Sequence, residues 1–384
     1  MGVVTSGEVL RVAPEFRLVR SGRFVVAELL VPHRVLSTSA RNGGQREKLR
    51  FLVNHQSCEG TDHRERHGQI TGGEFYHDAA CGEIGLDPAA AAMMQTAANM
   101  NYAAVVAASD LDVTVTAVVT AGVHGNAACA GDPASWRETE TGWEKVAAPA
   151  PVVGTINTMV LINRALTEGA LARAVITMTE AKSAVLQRLA VRSLYSADFA
   201  TGTGTDQYCV AAISGPSDGA RKAFISTSQH SKLGELIGVT VRDATLEALR
   251  WQNGLEISST RLLFHALGRY GVREADCLTE LAPLLSEREL DLLKKNIQSV
   301  VYEPKVAAAA YAIAAVLDRI RIGTLPASAA RDIFRQQLAT LASSLAAKPD
   351  AWPEFYARLG DADPEPAARG VYAAIALGWS HKWR

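Results

Sequence analysis

The stretch DVTVTAVVT, residues 112–120, alternates polar and apolar side chains, so it reads as a strand with one packed face and one face turned to water or to a site. It runs straight into AGVHGNAACAGDP, residues 121–133, a glycine-rich loop. Upstream, EVLRVAPEFRLVRSGRFVVAELLVPHRVLSTS, residues 8–39, carries β-branched runs broken at Ser21-Gly22, a hairpin signal, and Asn42-Gly43-Gly44 marks another turn. Downstream, GTINTMVLIN (154–163) and residues 207–214 read as strands, and 222–228 as a further one. Thr167 caps a predicted helix that runs to Leu189, and His230 opens a loop that passes into a helix ending near Leu249. Asp87-Pro88 predicts the start of a helix through about Ser109, because proline suits the first turn and the segment is rich in alanine. Residues 54–85 and 133–151 are polar and read as irregular excursions.

Beyond about residue 250 strand signals fade. Ser286 and Glu289 form a capping-box pattern, and KVAAAAYAIAAVLDRIRI (305–322), AARDIFRQQLATLASSL (329–345) and AARGVYAAIALGW (367–379) have helical spacing. The expected fold class is therefore α+β. A layered, mostly antiparallel sheet with packed helices occupies residues 1–250, and an all-helical C-terminal region follows over 251–384.

With 39 basic and 40 acidic residues and a formal net charge of -1, the chain shows no basic segment, so nucleic acid is not an expected partner. No run of eighteen apolar residues argues for a membrane span. MGVVTSGEVLRV, the opening segment, has neither the basic region nor the apolar core of an export signal, so the expected location is cytoplasmic. The five cysteines, Cys58, Cys81, Cys129, Cys209 and Cys277, are scattered and odd in number, which fits reduced thiols.

Four segments stand out: Thr120 to Asp132, Gly154 to Asn157 and Ala200 to Asp206 place glycine beside small polar residues, and Thr179 to Lys182 sets a threonine, a carboxylate and an amine close together. Glycine lets backbone amides approach a ligand, and Thr, Asn and Asp add directed hydrogen bonds. Each loop alone reads equally as a tight turn with local caps. Together they suit a site that grips carbonyl-rich chemistry. The set His55, Cys58, His63, His67, His77 and Cys81 has spacing that can fold around zinc, but it matches no standard finger or HExxH pattern. No metal and no cofactor are expected.

Those segments, in this order, resemble the adenosylcobinamide amidohydrolase family. The family's Thr-Ala-Gly-x-x-Gly-Asn-Ala loop is matched by Thr120, Ala121, Gly122, Gly125, Asn126 and Ala127, with Gly131 and Asp132 after it. Gly-Thr-Ile-Asn is matched at 154–157, Thr-Glu-Ala-Lys at 179–182 and Ala-Thr-Gly-Thr-Gly-Thr-Asp at 200–206. A His-x-Lys-x-Gly-Glu segment is matched at His230, Lys232, Gly234 and Glu235. The resemblance covers roughly residues 10 to 250. It implies hydrolysis of a linear, non-peptide C–N amide: the aminopropanol arm of adenosylcobinamide is cleaved to give adenosylcobyric acid, within corrinoid salvage. The same family acting on another amide metabolite, or a non-catalytic ligand-binding homologue, are the competing readings.

On this reading Glu180 is the first choice as general base, provided burial lifts its pKa, with Asp206 as second carboxylate and Lys182 as its catalytic neighbour. Glu180 and Lys182 are two positions apart, so a helix turns them to different sides. His124, Asn126, Asp132, Thr155, Asn157, Thr201, Thr203, Thr205 and His230 are the expected substrate-binding residues. One of the threonines could instead be the nucleophile, with the backbone amides of Gly202 or Gly204 as an oxyanion hole. The partner expected is a small molecule, corrinoid or other amide. The helical region is expected either to cover the site or to form a homo-oligomer interface, although alanine stripes are more often plain core.

Overall fold

Hydrophobic strands that must bury two faces set the architecture of residues 1–256, the first of two compact units. The computed structural model describes residues 7–58, 74–146, 154–215 and 222–382. Strands β1 (Glu8–Val12), β2 (Phe16–Ser21), β3 (Phe24–Leu29) and β6 (Phe51–Gln56) pair antiparallel in that order, and β7 (Ala91–Thr96) adds parallel to β6. A second sheet has the order β5 (Gly44–Arg46), β4 (His33–Ser37), β13 (Gln207–Ile213), β12 (Ile156–Ile162), β9 (Val113–Ala121) and β8 (Ala104–Asp110). All its pairs are antiparallel except β12 with β13. The expected α+β class with mainly antiparallel sheets is what the chain adopts.

The two sheets pack face to face. Leu18, Val25, Leu52 and Met94 of one meet Val118, Met159, Leu161 and Cys209 of the other in a shared core. Each sheet is also covered outside. Helix α1 (Glu74–Glu83) supplies Tyr76, Ala80 and Cys81 against Val26, Val53 and Met93. Helices α2 (Glu168–Arg188) and α3 (Lys232–Asn253) supply Leu171, Ala174, Ile237 and Val241 against Val115, Ile156, Val160 and Val210. The result is helix, sheet, sheet, helix layering in which side chains of central strands have no wet face.

That burial explains the β7 part of the main departure from the expected elements. Residues 91–110 form β7 and β8, joined by a short 3-10 turn at Met100–Tyr102, and not a helix from Asp87 to Ser109. Ala92 and Met94 enter the inter-sheet core while Ala91 and Met93 face α1. A strand buried on both faces shows no alternation, and its alanines then mimic a helix. Asp87 does cap, but only the 3-10 turn at Pro88–Ala90. Two excursions also carry regular structure. Residues 51–56 are strand and 74–83 helix, with 59–73 outside the described residues, while 136–145 form a hairpin of β10 (Trp136–Thr139) and β11 (Gly142–Lys145). Residues 222–228 are not a strand; Phe224 makes only an isolated bridge with Leu166.

The second unit, residues 257–384, is helical. Its longer elements are α4 (Glu274–Leu281), α5 (Glu287–Asn296), α6 (Pro304–Arg321), α7 (Ala327–Ala346), α8 (Trp352–Arg358) and α9 (Ala367–His381). Ser286 and Glu289 form the reciprocal cap predicted for α5. Phe334, Leu338, Leu341, Phe355, Tyr372 and Trp379 fill its own core. Small residues let α7 and α9 approach closely: a methyl at Gly378 would meet the Ala342 carbonyl oxygen at 2.6 Å. Among the described residues no helix is long and apolar enough to cross a membrane.

Candidate active site

The parallel pair β12 and β13 starts at one end of its sheet, so the loops that lead into the two strands lie side by side. The crossover between them contains α2. Ile156, Thr158, Met178, Thr179, Lys182, Asp206, Gln207 and Tyr208 line a cleft of about 180 Å³ there. Alternation along β12 sends Ile156 and Thr158 to the helix side, and the helical period sends Met178, Thr179 and Lys182 to meet them.

Lys182 and Asp206 are the charged groups of this cleft. Lys182 Nζ donates to Asp206 Oδ2 at 2.5 Å, with the side chains only 12% and 18% exposed. Asp206 Oδ2 also accepts from the Thr203 amide at 3.3 Å. Its Oδ1 accepts from the Ile156 amide at 3.0 Å and from Thr203 Oγ1 at 2.5 Å. Four donors fill the acceptor positions of one carboxylate, so Asp206 is held in place with no open acceptor position for a water proton. The Lys182 ammonium has three protons, and Asp206 is its acceptor among the described residues, which leaves donor capacity toward the cleft. Gly202 makes this pairing possible: a methyl there would stand 2.3 Å from Asp206 Oδ2 and 2.9 Å from Lys182 Nζ.

A hydroxyl and amide chain braces the pair. Thr205 Oγ1 donates to the Gly154 carbonyl at 2.8 Å and lies 2.8 Å from Thr155 Oγ1 and 3.3 Å from Thr203 Oγ1. Asn126 Nδ2 reaches the same Gly154 carbonyl at 3.2 Å and Thr205 Oγ1 at 3.4 Å, and Tyr195 donates to Asn126 Oδ1 at 2.8 Å. The structure thus brings Asn126, Thr155, Thr203, Thr205, Asp206 and Lys182 together.

Thr201 and Asp132 hold the neighbouring loop instead. Thr201 Oγ1 accepts from the Ala130 amide at 2.8 Å, and Asp132 Oδ2 accepts from the Cys129 amide at 2.7 Å and from Ser193 Oγ at 2.6 Å. Burial alone would raise the Asp132 pKa, but the bonds from Ser193, Ser196 and the Cys129 amide outweigh it and hold the carboxyl below its usual 3.8. Gly202 cannot serve as an oxyanion donor, because its amide is spent on the Ala128 carbonyl at 3.1 Å.

Other expected residues stand apart. Glu180 is exposed on α2, where Gln229 Nε2 donates to it at 2.5 Å, so it lacks the burial a general base needs, and Lys182 is the member of the pair that faces the cleft. Asn157 points to the opposite face of β12. There it donates to Asn54 Oδ1 at 2.8 Å and the Gln95 carbonyl at 3.0 Å, inside the inter-sheet layer. His124 and His230 are exposed and do not line the cleft. In the His230 segment, Gly234 is the packed position: a methyl there would overlap the Ser228 carbonyl at 1.9 Å.

His63 and His67 lie outside the described residues, and among those described no cluster of His, Cys, Asp and Glu could hold a metal. His55 stacks between Phe24 and Tyr76 in the core, bonded to the Tyr76 hydroxyl. His77 bonds the Pro88 carbonyl at 2.9 Å. Tyr195, Tyr208 and Thr158 join the site without having been expected, and Thr179, which opens the Thr-Glu-Ala-Lys segment, lines the cleft. Strand alternation from Ile156 could have found Thr158, and no local pattern marks Tyr195.

The model of the adenosylcobinamide amidohydrolase family matches residues 10–257. An uncharacterized protein of Methanocaldococcus jannaschii, MJ1613, is 35% identical over 188 residues, which make up 47% of this chain and 71% of that protein.

Proposed function

The chain belongs to the adenosylcobinamide amidohydrolase family, and from that premise we propose that it hydrolyses the amide joining an aminopropanol arm to a corrinoid. Water adds to the carbonyl carbon and the C–N bond breaks. A carboxylic acid, adenosylcobyric acid, and a free amine, 1-aminopropan-2-ol, leave. The observation that carries this reading is the shielded Lys182–Asp206 pair at the cleft. An amide carbonyl becomes an oxyanion as it is attacked, and a held cation stabilises that charge. Lys182 takes this role, with two protons turned to the substrate oxygen. Asp206 fixes the ammonium in place. Thr203 and Thr205 position Asp206, and Thr158, Thr179 and Tyr208 offer hydroxyls to the polar groups around the scissile bond. Glu180 has no part in bond breaking on this reading.

The test is incubation with adenosylcobinamide and mass detection of adenosylcobyric acid. Turnover that drops about 100-fold or more in Lys182→Met supports the assignment, in line with losses of a single oxyanion donor. No acid product from the wild-type protein overturns it.

A further inference from the structure

The hairpin of β10 and β11 is exposed on both faces. A lone two-stranded hairpin is marginally stable in water, and this one displays two large indoles. Trp136 is 45% exposed and Trp143 66%. The register pairs Trp136 with Lys145 and Glu138 with Trp143, so both indoles share one face with a cation and an anion between their rows. Neither is needed for the cores described above.

The segment that leads into this hairpin is tied to the Thr201–Gly202 stretch of the loop that ends at Asp206. The Ala128 amide bonds the Gly202 carbonyl at 2.9 Å, the Ala130 amide bonds Thr201 Oγ1, and Asp132 closes the turn onto Cys129. Trp136 follows Asp132 by four residues, a reach of at most about 14 Å. The cleft itself, at about 180 Å³, is smaller than the roughly 300–1,000 Å³ that encloses even a drug-sized ligand. A cleft of that size has room for one end of a large ligand and not for the whole of it.

We propose that the Trp136–Trp143 face of this hairpin is the binding surface for the corrin macrocycle of the substrate, one face of which packs on the indoles while Glu138 and Lys145 meet its peripheral amides. Indoles give a broad, rigid apolar surface at low entropic cost. The inference rests on the corrinoid reading above, and its test separates the two.

Equilibrium dialysis of the full chain against cobinamide measures affinity without turnover. Trp143→Ala is expected to raise Kd about tenfold, within the range found when an aromatic stacking partner is removed, and Trp143→Phe to restore most of the affinity. Equal Kd for Trp143→Ala and wild type overturns the proposal, as does a wild-type protein that binds no cobinamide. Sedimentation closes the other route: a dimer lost in Trp143→Ala with Kd unchanged makes the face a contact between copies and likewise overturns it. A protein that binds cobinamide through Trp143 but yields no adenosylcobyric acid would retain the stacking surface and refute the hydrolase reading alone.

Discussion

Lys182 and Asp206 meet at 2.5 Å although 24 positions separate them, one on α2 and the other at the mouth of β13. Asp206→Asn keeps the shape but removes the anion that holds the ammonium. Turnover is expected to fall at least about 100-fold, and stability by about 1–3 kcal/mol, the range for disturbing a shielded charged hydrogen-bonding group. Steady-state kinetics and urea unfolding read the two effects. Activity close to wild type would refute the assigned role.

Gly202→Ala tests the same pair from the backbone. The added methyl would collide with both charged groups, so they must separate. Activity is expected to fall more than 10-fold while circular dichroism stays that of the wild type, because the collision involves side chains at the cleft and no core residue.

Glu180→Gln is expected to retain turnover within about threefold, since the side chain is solvated on α2 and bonded to Gln229. A loss comparable with that of Lys182→Met would restore Glu180 as a base and undo the division between the two residues.

His33 gives the chain an acid-sensitive point. Burial lowers its pKa below 6.5, against opposing lifts from the Val31 carbonyl and Glu15. Its Nδ1 bonds that carbonyl at 2.7 Å, and its buried Nε2 has no hydrogen-bond partner among the described residues. The unfolded chain therefore takes up this proton at higher pH than the folded one. Stability is full above pH 6.5 and declines as pH falls through the folded value, by no more than about 1.4 kcal/mol per pH unit. Urea midpoints at pH 7 and pH 5 should differ more for wild type than for His33→Gln. Equal differences would remove His33 as the cause.

Gly378→Val probes the helical unit. The branched side chain has no room against Ala342 and Leu345, and overpacking of this kind costs about 1–3 kcal/mol. Thermal unfolding should show the loss. An unchanged transition would mean that α7 and α9 can part freely.

Much of this was legible in residue order, and the failures have definite causes. Thr167 and Ser286 cap where their side chains announce it, because capping is local chemistry. Strand β7 was hidden because burial between two layers erases alternation, so Ala91–Thr96 looks like any alanine-rich helix; β8, a half-buried edge strand, was hidden because its run AVVAAS has no polar–apolar alternation. The site was half readable. The Thr and Gly spacing around Asp206 marked a polar loop. Which of Glu180 and Lys182 turns inward depends on the face that α2 packs, a long-range fact. Asn157 could have been placed by counting, since it alternates with Ile156 and Thr158, and both of those line the cleft. Tyr195 reaches Asn126 across 69 positions, a contact that no local pattern carries.

The crossover that joins β12 to β13 has a consequence for how such chains can vary. Each residue inserted into α2 ahead of Lys182 would swing the ammonium by about 100° around the helix axis. A single insertion would therefore turn it away from its counterion, and only changes near whole turns would bring it back. The stretch between α2 and Asp206 has no such periodic constraint. Length variation among functional relatives should therefore concentrate after Arg188 and be scarce between Thr167 and Lys182.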